Sequence, residues 1–405
     1  MSGGDERDGA KLAVDGGAPV RRDRLPYGRQ QISEEDVAAV VSALRGDWLT
    51  TGPLVEAFER ALAEVTGAPE VVAVSNGTTA LHTMLAAAGV GPGDEVIVPA
   101  MTFVATANAV LYCGGKPVIV DVDPGTLLID PAAVAAAISP RTVAVVAVDY
   151  GGQPVDYDAL RAICDKHGLR LFTDGCHALG ATSRGRPVGT LADATTLSFH
   201  PVKHIATGEG GAIATADPAL AARMRRVRNH GLSQTASERE KAGTFRYEMA
   251  EWGHNFRLTD IQCALGISQL RRLGQNLARR RALAARYAAL LSAVPGVEPL
   301  VLRPEVEHAW HLYVVRMKRG AWSVSREELH RLLLAEGIGV NVHYLPVHLH
   351  AYHQAQGAFT GQCPVAEAAY AELLTLPLHH GMSDEDQDDV LRALHKLVAA
   401  RGLGE

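Results

Sequence analysis

Short apolar runs and helical repeats of apolar residues alternate along the first half of the chain. Seven runs are predicted to be buried strands: Val71–Val74, Glu95–Val98, Pro117–Val120, Val143–Val148, Arg170–Phe172 with its end at Asp174, Thr195–Ser198 and Gly211–Thr215. Ser33 is a predicted N-cap, and the apolar residues that follow it at helical spacing predict the first helix. The same spacing predicts helices over Leu54–Val65, Ala80–Ala88 and Tyr157–Gly168. Short apolar strands that alternate with helices predict an α/β fold with a mostly parallel central sheet wrapped by helices.

The amino-acid composition and the order of predicted elements change after Arg257. Residues Leu258–Leu291 are rich in Ala, Leu and Arg and are predicted to be helical; His311–Met317 and Gly339–His343 are predicted strands, and Arg326–Glu336 and Asp384–Val398 predicted helices. We therefore predict a flexible N-terminal tail over 1–24, a large domain over 25–257 and a small C-terminal α+β domain over 258–405.

Length and composition narrow the class of function. The chain has 405 residues, of which 47% are hydrophobic and 21% charged, as expected for a globular protein of two or three domains. Lys+Arg minus Asp+Glu is 39 − 45 = −6, which argues against a nucleic-acid-binding surface. The uncharged segment 96–115 contains Pro99, Gly114 and Gly115 and divides into a strand, a turn and a helix from about Val104, so no membrane span is expected. The five cysteines form no CxxC pair and fit a reducing cytoplasm.

Lys203 is the first residue with candidate chemistry. It lies just after a predicted strand, and Phe199, Pro201, Val202 and Ile205 surround it with apolar groups. Burial of this kind lowers the pKa of a lysine and makes its amine nucleophilic, as Schiff-base chemistry requires. An ordinary surface lysine beside glycines is the alternative.

Two further segments become informative when they are taken together with Lys203. Asp174 ends an apolar strand and either caps a following helix or holds a cationic ring nitrogen. Ser75–Ala80 is a strand-to-helix turn whose N–H groups and hydroxyls suit a phosphate, although ordinary turns share this pattern. Pyridoxal 5′-phosphate (PLP) needs all three features: a phosphate cup, a carboxylate and a lysine. We therefore predict PLP as the cofactor.

The chain resembles the DegT/DnrJ/StrS family of sugar aminotransferases from about Leu25 to Leu394. Five segments carry the resemblance: Asp47–Pro53, Ser75–Leu81, Thr102–Asn108, Ser198–Gly211 and Asn255–Asp260. It implies the type I fold of PLP-dependent transferases and a ping-pong transamination in which L-glutamate supplies the amino group to a keto sugar. One departure is Gly175–Cys176, where the family usually has two alanines. The Cys176 thiol is either inert or able to react with the cofactor aldehyde.

The resemblance also implies roles for single residues. Lys203 would form the internal aldimine and carry the catalytic proton. The other implied cofactor contacts are Asp174 at the ring nitrogen, His177 near the 3′-oxygen, Phe103 on the ring face, Gly77, Thr78 and Ser198 at the phosphate, and Asn255 at the phosphate of the neighbouring subunit. Asn255 thereby implies a homodimer with shared active sites, and a capping role at the domain junction is the alternative for this residue.

Within the family, four segments look closest to the UDP-sugar C4 aminotransferases of the pseudaminic-acid pathway: Pro26–Ile32, Tyr150–Pro154, Asn255–Arg257 onward and Val340–His348. Those enzymes act on a nucleotide-linked 4-keto-6-deoxy hexosamine. The implied residues on the sugar side are Tyr27, His343, Tyr344 and His348. Other keto sugars and keto-cyclitols of antibiotic biosynthesis remain alternatives. The presence of Lys203 argues against a sugar 3-dehydratase, in which histidine replaces the lysine, and Lys203 with Asp174 argues against a non-catalytic regulator.

Two side-chain clusters have no part in the predicted cofactor site. The imidazoles of His343, His348, His350 and His353 are spaced by 5, 2 and 3 residues, which fits no common zinc pattern, so no metal is expected. Arg279–Arg281 is expected to be a solvated helix face, with an acidic partner as the alternative.

Overall fold

The structure is a computed structural model that describes residues 11–234, 239 and 241–402. Its strands are β1 (Glu70–Val74), β2 (Glu95–Pro99), β3 (Lys116–Val120), β4 (Thr142–Val148), β5 (Arg170–Asp174), β6 (Thr182–Ser183), β7 (Arg186–Pro187), β8 (Ala194–Ser198), β9 (Gly211–Thr215), β10 (Val297–Pro299), β11 (Val306–Glu307), β12 (Tyr313–Met317) and β13 (Leu373–Leu376). The seven-stranded central sheet has the order β1-β9-β8-β5-β4-β2-β3. Neighbours from β8 to β3 are parallel, and β9 is antiparallel to β8 and β1. The prediction of a mostly parallel α/β sheet is confirmed.

The helices cover both faces of this sheet and build the C-terminal part. They are α1 (Glu34–Leu44), α2 (Pro53–Thr66), α3 (Gly77–Ala87), α4 (Ala105–Tyr112), α5 (Pro131–Ala137), α6 (Tyr157–His167), α7 (Pro218–Arg228), α8 (Asp260–Leu270), α9 (Leu273–Leu291), α10 (Arg326–Ala335), α11 (Ala351–Ala355), α12 (Pro364–Tyr370) and α13 (Asp384–Arg401). The uncharged segment 96–115 contains most of β2 and then α4, as its composition predicts. None of the helices within the described ranges is both long and apolar enough to cross a membrane.

Helix α3 begins earlier than the apolar pattern indicates. The predicted start is Ala80, but the first helical residue is Gly77. The Asn76 side chain accepts a hydrogen bond from the Thr79 N–H at 2.8 Å, and the Thr79 hydroxyl accepts one from the Asn76 N–H at 3.0 Å. This reciprocal cap satisfies N–H groups at the helix start and brings the polar turn residues into the first helical turn.

Two hydrophobic cores divide the molecule. The first surrounds the central sheet and includes Val98 and Val146, and the second includes Leu283, Val315 and Leu394. Cys263 on α8 belongs to the first core, so that core extends past residue 257. The two-domain division at 257 stays a prediction.

The prediction of a flexible tail over 1–24 is wrong for residues 11–24. The side chain of Leu12 is 1% exposed within the second core. The N–H groups of Ala13 and Val20 donate to the Glu336 carboxylate at 2.7 and 3.0 Å. Burial of one leucine and pairing of these backbone groups fix the segment against α10. Residues 1–10 lie outside the described part of the chain.

Two other predictions differ from the structure. Gly339–His343 is not a strand, because it forms one isolated bridge, which joins Asn341 to Thr375. Arg280 is not on a solvated face: its side chain is fully buried, and Nη1 donates to the carbonyls of Trp310 and Leu378, each at 3.0 Å. Its neighbours Arg279 and Arg281 form ion pairs with acidic residues of the same chain.

Candidate active site

A cavity of about 550 Å³ lies where the carboxyl ends of β4, β5 and β8 meet the start of α3. Ligands bind at this edge in α/β sheets of this type, because strand ends and helix N-termini converge there. Ten of the twelve predicted site residues line it: Tyr27, Gly77, Thr78, Phe103, Asp174, His177, Ser198, Lys203, His343 and Tyr344. The two others, Asn255 and His348, do not. Residues from distant parts of the sequence therefore form one site.

The Lys203 amine faces this cavity. Burial lowers the pKa of Lys203, while the neighbouring side chains of Cys176 and Asp174 act in the opposite direction. A lowered pKa increases the fraction of neutral amine, which is the nucleophilic and basic form. The nearest polar side-chain atom recorded for the amine is Nε2 of His311, 3.3 Å from Nζ.

The carboxylate of Asp174 is held at both oxygens. The Thr106 hydroxyl donates to Oδ2 at 2.8 Å and is itself 2.7 Å from the Thr102 hydroxyl. The Cys176 N–H donates to Oδ1 at 3.2 Å. A turn rather than a helix follows Asp174, so its alternative role as a helix cap is wrong. The carboxylate lines the cavity in a fixed orientation, as a partner for a cationic nitrogen needs.

The start of α3 forms a cradle for an anion. A Cβ built on Gly77 would lie 3.0 Å from Sγ of Cys176 and 3.0 Å from Cβ of Ser198, so glycine lets the helix start lie close against these two side chains. The unpaired N–H groups at the start of an α-helix carry partial positive charge and bind phosphate. A phosphate group fits this cradle, with Lys203 and Asp174 in the same cavity. The residues present therefore fit PLP.

His177 is buried beside the cavity and is held in one tautomer. Its Nδ1 accepts the Gly151 N–H at 3.2 Å, so in the neutral ring Nε2 carries the hydrogen and donates to the Tyr344 hydroxyl, 3.1 Å away. Burial, reinforced by the nearby Lys203, holds the pKa of His177 well below its usual value. The ring is therefore neutral at neutral pH and offers a hydrogen-bond donor to the cavity.

Aromatic and polar side chains form the opposite wall. Phe103 is 55% exposed and faces the cavity. Tyr27 contacts the ring of His343, with 5.2 Å between the ring centroids, and Nδ1 of His343 lies 2.8 Å from the Thr375 hydroxyl. Burial lowers the pKa of His343 to about 3, so its ring is neutral as well.

His348 and Asn255 lie elsewhere. His348 is fully buried and its Nε2 lies 2.8 Å from the Glu367 carboxylate, so the prediction that it lines the sugar side is wrong for this structure. Its ring therefore faces Glu367 on α12. Asn255 is exposed and bridges to Asn229, outside the cavity of its own subunit. Its predicted contact with a neighbouring subunit stays a prediction.

Sequence reasoning did not identify three residues that form part of this site. His311 contacts Lys203, Thr106 orients Asp174, and Asn341 lines the cavity beside His343. Thr106 lies inside a segment that carries the family resemblance, which is the signal that could have found it. His311 was only the first residue of a predicted strand. No group of three or more His, Cys, Asp or Glu side chains among the described residues is arranged to hold a metal ion.

Fold and site together define a PLP-dependent aminotransferase of the type I fold. The chain belongs to the DegT/DnrJ/EryC1/StrS aminotransferase family, whose model matches residues 30–395. It is 41% identical to the spore coat polysaccharide biosynthesis protein SpsC of Bacillus subtilis over 92% of this chain and 97% of that protein. Its structure is similar to that of a Streptococcus pneumoniae protein described as a sugar aminotransferase and solved in its PLP form, with a TM-score of 0.87, 32% identity, and coverage of 93% of this chain and 99% of that one.

A second similar structure is that of PseC from Helicobacter pylori, an aminotransferase involved in the biosynthesis of pseudaminic acid. The TM-score is 0.85 at 31% identity, with coverage of 93% of this chain and 99% of that chain. These relatives confirm the predicted family, fold, cofactor and reaction class. The chain is a sugar aminotransferase that uses PLP.

Proposed function

We propose that this enzyme transfers an amino group from L-glutamate to a nucleotide-linked 4-keto-6-deoxy sugar, with UDP as the nucleotide, in amino-sugar biosynthesis. The observation that carries the proposal is the single cavity in which Lys203 and Asp174 face a wall formed by Tyr27, His343 and Tyr344. Hydroxyl and imidazole groups suit a polyhydroxylated substrate, and aromatic faces suit a sugar ring. The roles of PseC in pseudaminic acid biosynthesis and of SpsC in polysaccharide biosynthesis support this substrate class.

The chemistry assigns a task to each residue on the cofactor side. PLP, when bound, supplies an electron sink that stabilises negative charge on the carbon that loses a proton. The amine of Lys203, whose pKa burial lowers, would accept that proton and hold it beside the cofactor for its return. Asp174 would hold a protonated ring nitrogen, and Gly77, Thr78 and Ser198 would hold the phosphate. The Nε2–H of His177, which faces the Tyr344 hydroxyl in the structure, would be the donor for the ring oxygen.

The active unit is proposed to be a homodimer with shared sites. Large apolar side chains are exposed just before Asn255: Phe245 (86%), Tyr247 (60%), Met249 (69%) and Trp252 (64%). Such a patch on one segment is typical of a protein–protein interface. A second copy that covers it would bring Asn255 to the phosphate cradle of its neighbour.

The five cysteines are free, which supports a reducing, cytoplasmic location.

Turnover of defined keto sugars tests this function. Purified enzyme is incubated with L-glutamate and a panel of UDP- and TDP-linked 4-keto sugars and keto-cyclitols, and release of 2-oxoglutarate is measured. We expect the UDP-linked 4-keto-6-deoxy hexosamine to give the highest kcat/KM. Inactivity on every nucleotide sugar together with turnover of a keto-cyclitol would refute the proposal.

The same assay tests the assignment of Lys203. Lys203→Ala should lower kcat by at least about 10²-fold, as expected when a general acid–base is lost. Lys166→Ala, which removes an exposed lysine of α6, serves as the matched control and should behave as the parent enzyme. Borohydride should attach the cofactor to the peptide that contains Lys203, and attachment to another lysine would overturn the assignment.

A further inference from the structure

A histidine that the proposed chemistry does not use lies against the Lys203 amine. His311 is buried, lines the cavity and places Nε2 3.3 Å from Nζ of Lys203. Its ring also packs against His177, with 4.4 Å between the ring centroids. Nδ1 of His311 is buried and has no hydrogen-bond partner within the described residues. The contact with Lys203 is thus the one polar contact recorded for this ring.

The backbone around His311 is fixed by an unusual set of contacts. Gly151 and Gly152 accept hydrogen bonds from the N–H groups of Leu312 and Ala309 at 3.1 and 2.9 Å. Trp310, directly before His311, has a positive φ of 52°, a conformation that is costly for a bulky residue. Strain of this kind persists only where the surroundings enforce it, and here it turns the next side chain towards Lys203.

The buried guanidinium of Arg280 reinforces this arrangement. It donates from Nη1 to the carbonyl of Trp310 at 3.0 Å and lies 3.4 Å from that of His311. Burial holds the pKa of His311 well below its usual value, and four basic side chains that face the ring lower this pKa further. These are Lys203, His177, His204 and Arg280. The ring is therefore neutral and has a lone pair available as an acceptor.

We propose that His311 is a positioning residue whose Nε2 accepts a hydrogen bond from Nζ of Lys203 and so fixes the direction of the amine within the cavity. Nδ1 carries the ring hydrogen in this arrangement, and the lone pair of the lysine amine stays free for chemistry. The reverse donation, from Nε2–H to the amine, would occupy that lone pair. The proposal rests on the proposed role of Lys203 but not on the identity of the sugar.

A pair of variants separates the hydrogen bond from the space that the ring fills. His311→Gln keeps an acceptor at the reach of Nε2, whereas His311→Phe keeps a buried ring without one. The readout is the pH dependence of labelling of Lys203 by a small amine-reactive ester in the cofactor-free full chain, followed by peptide mass spectrometry. Asp174, Cys176, His177, His204 and His343 also face this amine and are unchanged in both variants.

A neutral acceptor stabilises the charged ammonium more than the neutral amine. We therefore expect the proton affinity of Lys203 to fall about tenfold in His311→Phe. Because the amine also loses its fixed direction, kcat should fall by a similar factor with little change in KM. His311→Gln should restore both to within about threefold of the parent enzyme. His348→Phe, at an equally buried histidine outside the cavity, should lower thermal stability without moving the labelling of Lys203.

Two results would overturn the proposal: unchanged labelling in His311→Phe, or equal effects of the Phe and Gln variants, which would assign His311 a packing role only. Its failure is distinguishable from failure of the proposed function. If borohydride attaches the cofactor at Lys203 and the parent enzyme turns over the sugar, an unchanged His311→Phe profile refutes the positioning role alone.

Discussion

The carboxylate of Asp174 is oriented by two hydroxyl groups in series, from Thr102 through Thr106. Thr106→Val keeps the shape of the side chain and removes the donor. A hydrogen bond to a charged group contributes roughly 1.5–3 kcal/mol, so we expect PLP to bind at least about tenfold more weakly. An absorbance titration of the cofactor-free enzyme measures this Kd.

Thr83 supplies the matched control for this variant. It is equally buried, and its hydroxyl has no hydrogen-bond partner in the described part of the chain. Thr83→Val should therefore leave the PLP Kd unchanged. Equal Kd values for Thr106→Val and the parent enzyme would show that the hydroxyl chain does not hold Asp174.

Part of the site could be predicted from local pattern, because some of its residues end an apolar strand or start a helix, whereas others were implied only by the family resemblance. Asp174, Ser198 and Gly77 belong to the first group, and parallel strands bring their ends to one edge. His311 belongs to neither, since its contact with Lys203 spans 108 residues and depends on how the C-terminal part packs on the sheet. His348 was wrongly assigned to the site because it lies inside a segment that carries the resemblance, whereas in the structure it pairs with Glu367.

At the scale of elements, the turn Gly151–Gly152 after β4 holds two imidazoles of the site, those of His177 and His311. The Gly151 N–H binds Nδ1 of His177, and the two carbonyls bind the segment that carries His311. A Cβ on Gly152 would lie 2.7 Å from the His177 carbonyl oxygen and 3.1 Å from the His311 nitrogen, and φ is +102°. Only glycine satisfies both the close approach and the conformation.

Gly152→Ala should therefore destabilise the enzyme and weaken PLP binding together. Gly168→Ala is the control, because Gly168 also has a positive φ of 65° but no atom within 4 Å of a built Cβ. The left-handed conformation alone costs roughly 1–2 kcal/mol, and we expect the Gly152 variant to lose roughly twice as much. Thermal denaturation measures stability, and retention of PLP on gel filtration measures binding; equal losses in both variants would contradict the steric argument.

Element boundaries were the part of the fold that local pattern predicted least well. Helix α3 starts three residues before the predicted position because of the cap formed by Asn76 and Thr79. This cap consists of hydrogen bonds between polar groups, which the pattern of apolar residues does not reveal. Gly339–His343 alternates like a strand but makes one isolated bridge, since Asn341 pairs with Thr375 and the chain then turns to the cavity. Both deviations occur where the backbone serves the site.

At the scale of the whole molecule, one subunit either supplies every residue of an active site or shares the site with a second copy. Ten predicted residues converge within a single chain, yet Asn255 lies outside its own cavity, next to an exposed apolar patch. If Asn255 serves the neighbouring subunit, Lys203→Ala and Asn255→Ala are each inactive as homodimers. A mixed dimer combines an intact Lys203 from one subunit with an intact Asn255 from the other, and so contains one working site of two.

Mixing the two inactive variants should therefore restore activity. One of the two sites in each mixed dimer is intact, so purified mixed dimers should show about half of the parent activity. The variants are co-expressed with different tags, and mixed dimers are purified on both and assayed. A mixture of Lys203→Ala with Asp174→Ala is the control and should stay inactive, because both residues belong to the same subunit's site and each mixed site lacks one of them. No recovery in the first mixture would show that Asn255 acts within its own chain.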